Sequence, residues 1–175
     1  MKIVIIGCGR VGAVLAEAFD TAGHEVVIID QSTRAFERLS SEFRGQAVRG
    51  DGTDEDVLRK AGAVGADAFL ALTEGDNRNV MAAQIAMEKL EVGRAMAKVN
   101  DPVRAAAYAE LGIATICRTT MLSDAIQTFV GLRGSGMPSV IDAVAHHHQS
   151  PAADGRSGAG ATGTAGAAGT AGGEA

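Results

Sequence analysis

Tryptophan is absent, tyrosine occurs once and phenylalanine five times in 175 residues, so aromatics supply only 3% of the chain. The core must therefore be built from Val, Ile, Leu, Ala and Met, within a hydrophobic fraction of 46%. That is a usual recipe for a parallel sheet covered by helices on both faces. Cysteine is scarce as well: Cys8 and Cys117 are too few and too far apart for a disulfide framework or a metal-binding knuckle, and both are expected to be reduced. No basic cluster occurs and the formal net charge is -5, which argues against nucleic-acid binding through a charged patch. No apolar run approaches the roughly 20 residues of a membrane helix, and the N-terminus reads as a strand rather than a cleavable signal. The expected location is the cytoplasm, with any membrane role reached through a partner.

Histidine is nearly confined to His146-His147-His148, with His24 elsewhere. Consecutive residues on a helix point in different directions, so the triplet suits a closed metal site poorly and reads as a polar cluster. No Ser/His/Asp set, paired catalytic carboxylates or metal-ligand spacing stands out. Neither a catalytic residue nor a metal site is expected.

What is abundant is glycine in a specific place. The apolar run Ile3-Val4-Ile5-Ile6 leads into Gly7-Cys8-Gly9-Arg10-Val11-Gly12 and then into a helical stretch that closes at Gly23. A lone G-x-G-x-x-G is a weak match, but here it has strand, turn and helix around it and an acidic partner. The next apolar run ends in Asp30, where a carboxylate can accept both ribose hydroxyls of an adenosine half. Gly7 permits the tight turn, Gly9 lets backbone amides approach a pyrophosphate, and Gly12 lets the helix pack closely on the strand. The diphosphate would lie over the helix N-terminus, stabilised by unpaired amides and the helix dipole. Arg10 can add a charge-assisted contact to a phosphate or to an acidic neighbour. Asp30 repels a 2′-phosphate and so favours NAD(H) or an adenine nucleotide over NADP(H), a preference that Arg34 is near enough in sequence to soften. Cys8 has two readings: a redox-sensitive thiol of lowered pKa, or a small residue that fits a crowded turn, the reading the composition favours.

The chain has room for one domain of ordinary size. Up to about residue 116 it alternates β-branched runs with helical patterns, the signature of repeated βαβ units. Strands are predicted at 2–6, 25–30, 46–49, 68–72, 95–99 and 114–116, with helices at 11–22, 33–43, 55–61, 79–91 and 102–111. The predicted fold is α/β, a Rossmann-like doubly wound parallel sheet in a single domain. Reversal of strand order after the third strand would place the crevice at the carboxyl ends of strands one and four. That edge receives Asp51 and Gly52 from one loop, Thr73 and Glu74 from another, and Lys98 near the end of the fifth strand, alongside Asp30. Each has a plainer role too, as a helix start or an ion pair. Within 119–130, Leu122, Ala125, Ile126 and Phe129 fall on one helical face, which must fold back on its own sheet or cross to a second copy. From residue 150 onward Gly and Ala dominate and large apolar residues are lacking, so a disordered tail is expected. The expected division is 1–132 nucleotide-binding, 133–149 linker or short helix, and 150–175 tail.

Residues 1 to about 130 resemble the N-terminal nucleotide-binding lobe of Trk and Ktr potassium-uptake regulatory subunits, the RCK or KTN domain. The resemblance rests on three blocks together: the glycine motif with Arg10 at its fourth place, Gly50-Asp51-Gly52-Thr53 followed by Val57 to Gly62, and Ala66 to Thr73 leading into Asp76-Asn77-Arg78-Asn79. It implies a cytoplasmic protein that binds NAD(H), or ATP and ADP in some members. Such a protein sits on the inner face of a separate potassium-translocating membrane subunit and assembles as dimers or higher rings. By position, Gly7 to Gly12 would hold the phosphates and Asp30 the ribose. Asp51 and Gly52 would lie near the base, while Thr73, Glu74 and Lys98 would line the rest of the crevice. The helix around 122–129 would be the family's crossover helix. The family usually carries a second, C-terminal lobe where this chain has its Gly/Ala-rich stretch, which leaves a companion subunit to supply it. Two other readings stay open: a small NAD-dependent oxidoreductase, because one sheet hosts many functions, and a redox or energy sensor for another partner.

Overall fold

Alternation along the first strand splits its side chains between two cores. In β1 (Lys2–Ile6), Ile3 and Ile5 pack to one side with Val26 and Ile28, while Val4 and Ile6 pack to the other with Val27, Ile29 and Phe69. Each such side chain, fully removed from water, contributes about 1.5 to 3 kcal/mol. A sheet greasy on both faces needs cover on both, and the chain supplies it by winding helices over each side. The computed structural model describes residues 1–132. The segment 133–149, the histidine triplet and the expected tail lie outside the described residues.

The strands that follow are β2 (Glu25–Asp30), β3 (Gln46–Arg49), β4 (Ala68–Ala71), β5 (Ala95–Lys98) and β6 (Ala114–Ile116). Their order is β3-β2-β1-β4-β5-β6, and every pairing is parallel. Strand order reverses between β1 and β4, as the doubly wound expectation requires, so the loops leaving these two strands diverge and open a crevice. The helices are α1 (Arg10–Thr21), α2 (Glu55–Lys60), α3 (Asp76–Lys89), α4 (Pro102–Glu110) and α5 (Arg118–Phe129). Small residues let them sit close: Gly12, Ala13 and Ala16 on α1, Ala82, Ala83 and Ala86 on α3. This close fit replaces aromatic bulk, and Phe69 is the one aromatic among the largest fully buried side chains of the described residues.

Two predicted helices differ. In place of a helix over 33–43 there is a 3₁₀ helix at Thr33–Arg38, after which Leu39 turns extended at φ -76°, ψ 140°. Ser40 and Ser41 follow, and the Ser40 amide donates to Glu17 of α1 at 2.6 Å instead of continuing a helix. Partly buried Phe36, Leu39 and Phe43 still reach the core beneath α1, so the apolar spacing was a packing signal without a helical backbone. The other difference is the start of α3, which begins at Asp76 rather than residue 79. Asn79 is no cap. Fully buried, its Nδ2 donates to the carbonyls of Thr73 at 3.0 Å and Lys98 at 2.8 Å, and its Oδ1 accepts from the Thr73 amide and hydroxyl at 2.8 and 2.6 Å.

Asn79 thus bolts the turn after β4 to the end of β5. Removing the amide leaves buried donors and acceptors without partners, at about 1 to 3 kcal/mol each. Asn79→Ala is expected to lower unfolding stability by about 3 kcal/mol in urea titration, whereas a loss under 1 kcal/mol would show that the network carries little.

Candidate functional site

The glycine turn is built on contacts that exclude side chains. Gly7 sits at φ +99°, and a Cβ there would press on the Leu72 and Thr73 backbone at 3.1 Å. A Cβ at Gly12 would lie 2.0 Å from the Gly7 carbonyl oxygen. Gly9 differs from both, because a Cβ there would meet no protein atom within 4 Å. The first and third glycines are therefore required by the fold, and the middle one keeps the loop's open side clear of a side chain.

Asp30 closes one end of this turn. Its Oδ2 accepts from the Cys8 amide at 2.8 Å and its Oδ1 from the Ser32 amide at 2.8 Å. An ionised carboxylate offers about four lone-pair sites, so each oxygen keeps capacity for a further donor such as a ribose hydroxyl. Between Asp30 and the β4 loop lies a half-open cavity of about 230 Å³. Its floor is Ile6, Gly7, Cys8, Gly9 and Ile29; one wall is Asp30, Gln31, Ala35, Arg38, Gly50 and Gly52, the other Leu72, Thr73, Glu74 and Arg78.

Helix capping fits an anion here. Asp54 and Asp101 cap α2 and α4 through hydrogen bonds to first-turn amides. At the cavity, α1 and α3 begin after Gly9 and Gly75 with no side-chain cap bond, as α5 does after Cys117 away from it, and the first turn of α1 carries no acidic residue. Amides left free at α1 are suited to phosphate oxygens. The residues present therefore fit a dinucleotide or adenine nucleotide: an unobstructed glycine loop, free amides at its helix, and a carboxylate held in place at the ribose end.

The expected residues separate into two groups. The cavity brings together Gly7, Cys8, Gly9, Asp30, Gly52, Thr73 and Glu74. Arg10, Val11, Gly12, Asp51 and Lys98 are not part of its lining. Gly12 acts behind the loop, through packing. Asp51 turns back on its own loop, accepting from the Thr53 amide at 2.9 Å and hydroxyl at 2.7 Å. Those two bonds, with smaller help from Arg78 and Gln31, hold its carboxyl below the usual range despite partial burial. Gly52 reaches the cavity because a Cβ would stand 2.1 Å from the Ile6 side chain. Lys98 contributes its backbone carbonyl to Asn79. Arg34 is exposed and faces Glu37 at 3.9 Å, and the arginine of this segment that lines the cavity is Arg38 instead.

Cys8 behaves as the small packed residue. It is fully buried, its Sγ lies 3.3 Å from the Ala35 carbonyl, and burial, with the Asp30 charge behind it, pushes its thiol above the ordinary value.

Arg38, Arg78 and Gln31 line the cavity without being among the expected site residues, although Arg78 lies in the Asp76-Asn77-Arg78-Asn79 block that carries the resemblance. Nothing in their local spacing marks them, since each is placed by the packing of a neighbouring segment. A further connection leaves the site: Asp76 at the start of α3 accepts from the Asn100 amide and side chain at 3.0 and 2.9 Å, and the Thr119 hydroxyl of α5 donates to the Asn100 carbonyl at 2.6 Å.

Comparison with known proteins agrees with this architecture. The TrkA-N domain family matches residues 3–119. The Trk system potassium uptake protein TrkA of Streptomyces coelicolor (strain ATCC BAA-471 / A3(2) / M145) is 46% identical over 124 residues, which cover 71% of this chain and 56% of that protein. The chain thus spans about half the length of such relatives. Among solved structures, the TrkA-N domain of the inner membrane protein ybaL from Escherichia coli superposes with a TM-score of 0.65 at 18% identity, covering 74% of this chain and 96% of that one. The GsuK channel bound to NAD gives 0.60 at 18% identity, covering 71% and 22%. These structures share the fold, and the sequence match runs from β1 through β6 into the start of α5. The chain belongs to the TrkA-N domain family.

Proposed function

We propose that this chain is the nucleotide-sensing part of a potassium-uptake regulator, binding NAD(H) or an adenine nucleotide in the β1/β4 crevice and acting on a separate membrane-embedded translocating subunit. The observation that carries the reading is the pairing of an unobstructed glycine loop with the Asp30 carboxylate at the edge of one cavity. Membership of the TrkA-N family and the Streptomyces relative's name support the transport setting. No helix among the described residues is long and apolar enough to cross a membrane, so coupling to a pore would run through a partner.

A regulatory role suits the lining better than an oxidoreductase does. Among the described residues the cavity is lined by no histidine, serine, tyrosine or lysine, and the thiol of Cys8 is buried against a carbonyl. Regulation by a nucleotide needs two arrangements of the assembly that bind it unequally. The element suited to join copies is α5, none of whose residues is buried; Leu122, Ile126 and Phe129 are 59%, 56% and 90% exposed on one face. Such a stripe on a surface marks a contact with another protein surface, here a second copy of the chain.

Two measurements check these statements. Calorimetry with NADH, NAD, ATP and ADP should show binding by the unmodified protein, and Asp30→Ala should weaken it by about 1 to 3 kcal/mol through loss of charge-assisted hydrogen bonds. Unchanged affinity would remove Asp30 from the site. Light scattering on Ile126→Glu/Phe129→Glu should report a smaller particle than the unmodified protein with its nucleotide-induced melting shift retained; an unchanged mass would place the interface elsewhere.

A further inference from the structure

The two faces of the sheet are not covered alike. On the Val4 and Phe69 side, α2, α3 and α4 contribute Leu58, Ala83 and Ala105 to one core that extends over β5 through Ala95 and Ala97. On the Ile3 and Ile5 side, α1 and the 3₁₀ segment supply the cover among the described residues, and their core stops at Ala68, Leu70 and Leu72 of β4. Strand register carries this second face further: Leu70 pairs with Met96, Met96 with Ala114 and Lys98 with Ile116, and paired residues share a side of the sheet. Met96, Ala114 and Ile116 are partly exposed and join neither core. The orientation of α1 leaves this half open. Its Glu17 and Asp20 turn toward the segment after β2, where they accept from the Ser40 and Arg44 amides. Leu15, about 160° around the helix from Glu17, therefore borders the uncovered strands.

The chain also carries a piece of matching size. From β4 to β6 the open face is about 10 Å wide, the diameter of one helix with its side chains. Strands of three or four residues make it about 10 to 13 Å long, and the stripe from Leu122 to Phe129 runs about 10 Å along α5. That stripe is not seated on its own sheet: α5 starts one residue after β6, its first turn is tied to the Asn100 carbonyl through Thr119, and none of its residues is buried. Resting on the reading above that α5 meets a second copy, we propose that its docking surface is the open β4-β5-β6 face of that copy, so that two chains related by a two-fold axis exchange their α5 helices. Each copy then gives one stripe and receives one, and a single closed contact covers both apolar surfaces of the chain. The docked helix borders the nucleotide cavity, because Leu72 belongs to this face and to the cavity wall.

The test is disulfide cross-linking between two kinds of full chain, both carrying Cys117→Ser, one with Met96→Cys and the other with Ile126→Cys. Cys8 is fully buried and stays out of the reaction. Mixed until subunits exchange and then oxidised, the two kinds are expected to give a covalent dimer with one chain of each, a product absent from either kind alone. Cross-linking of Ile126→Cys chains with one another would show helix against helix, and no covalent product in the mixture would show that the face is not the partner of α5; either overturns the assignment while leaving α5 as a contact. Met96→Glu gives a second readout by sedimentation, where the dissociation constant of the dimer is expected to rise more than about tenfold in a chain whose cooperative melting shows it folded. An unchanged constant would overturn the assignment too. A single-chain mass for the unmodified protein would instead overturn the second-copy reading on which it rests.

Discussion

The turn out of β1 holds only because position 12 has no side chain. With a Cβ there 2.0 Å from the Gly7 oxygen, α1 could not lie against the strand that precedes it, and the loop between them would open. Everything at the crevice follows from that approach. It brings the Cys8 amide to the Asp30 carboxylate, keeps Cys8 packed under the segment after β2, and directs the uncapped start of α1 toward the cavity. The β4 loop then closes on the same turn, with Thr73 against Gly7 and Asn79 holding Thr73 from behind. The site is a consequence of backbone contact more than of side-chain chemistry.

This explains which residues could be read from the sequence. Gly7, Gly9, Gly12 and Asp30 are recognisable because their tasks are set within one βαβ unit, where spacing along the chain equals placement in space. The parallel order and the switch between β1 and β4 were legible for the same reason, through repeated alternation of strand and helix. Asp51 and Lys98 stand at the expected edge, yet side-chain direction depends on the loop, and a nearby Thr53 holds Oδ1 of Asp51 on its own turn. Arg38 carries no local mark, and Arg78 is marked only as part of the Asp76-Asn77-Arg78-Asn79 block, with nothing there to aim it at the cavity. One is delivered by a 3₁₀ turn in a segment whose apolar spacing imitates a helix, the other by a helix start fixed through Asn79, a residue that looks like a cap and behaves as a buried brace.

Membership of the TrkA-N family and the geometry reinforce one another at different ranges. The family match covers the sheet and its glycine turn, while the cavity shows what that turn can hold. The scarcity of aromatics is of a piece with this: helices faced with Gly and Ala sit nearer the sheet than bulky ones could, and that nearness brings the loops at the carboxyl edge within reach of each other.

Asn100 stands where two of these loops meet a third. Through its amide groups it grips Asp76, two residues before Arg78, and through its carbonyl it receives Thr119 from the first turn of α5. The start of the crevice's α3 wall and the exposed apolar helix therefore share one anchoring residue. The bonds to Asp76 are part-buried and the bond from Thr119 is exposed, so the start of α3 and the root of α5 are joined through one residue at the edge of the sheet. That residue anchors the first turn of a helix 12 residues long, and Phe129 stands at the end farthest from it.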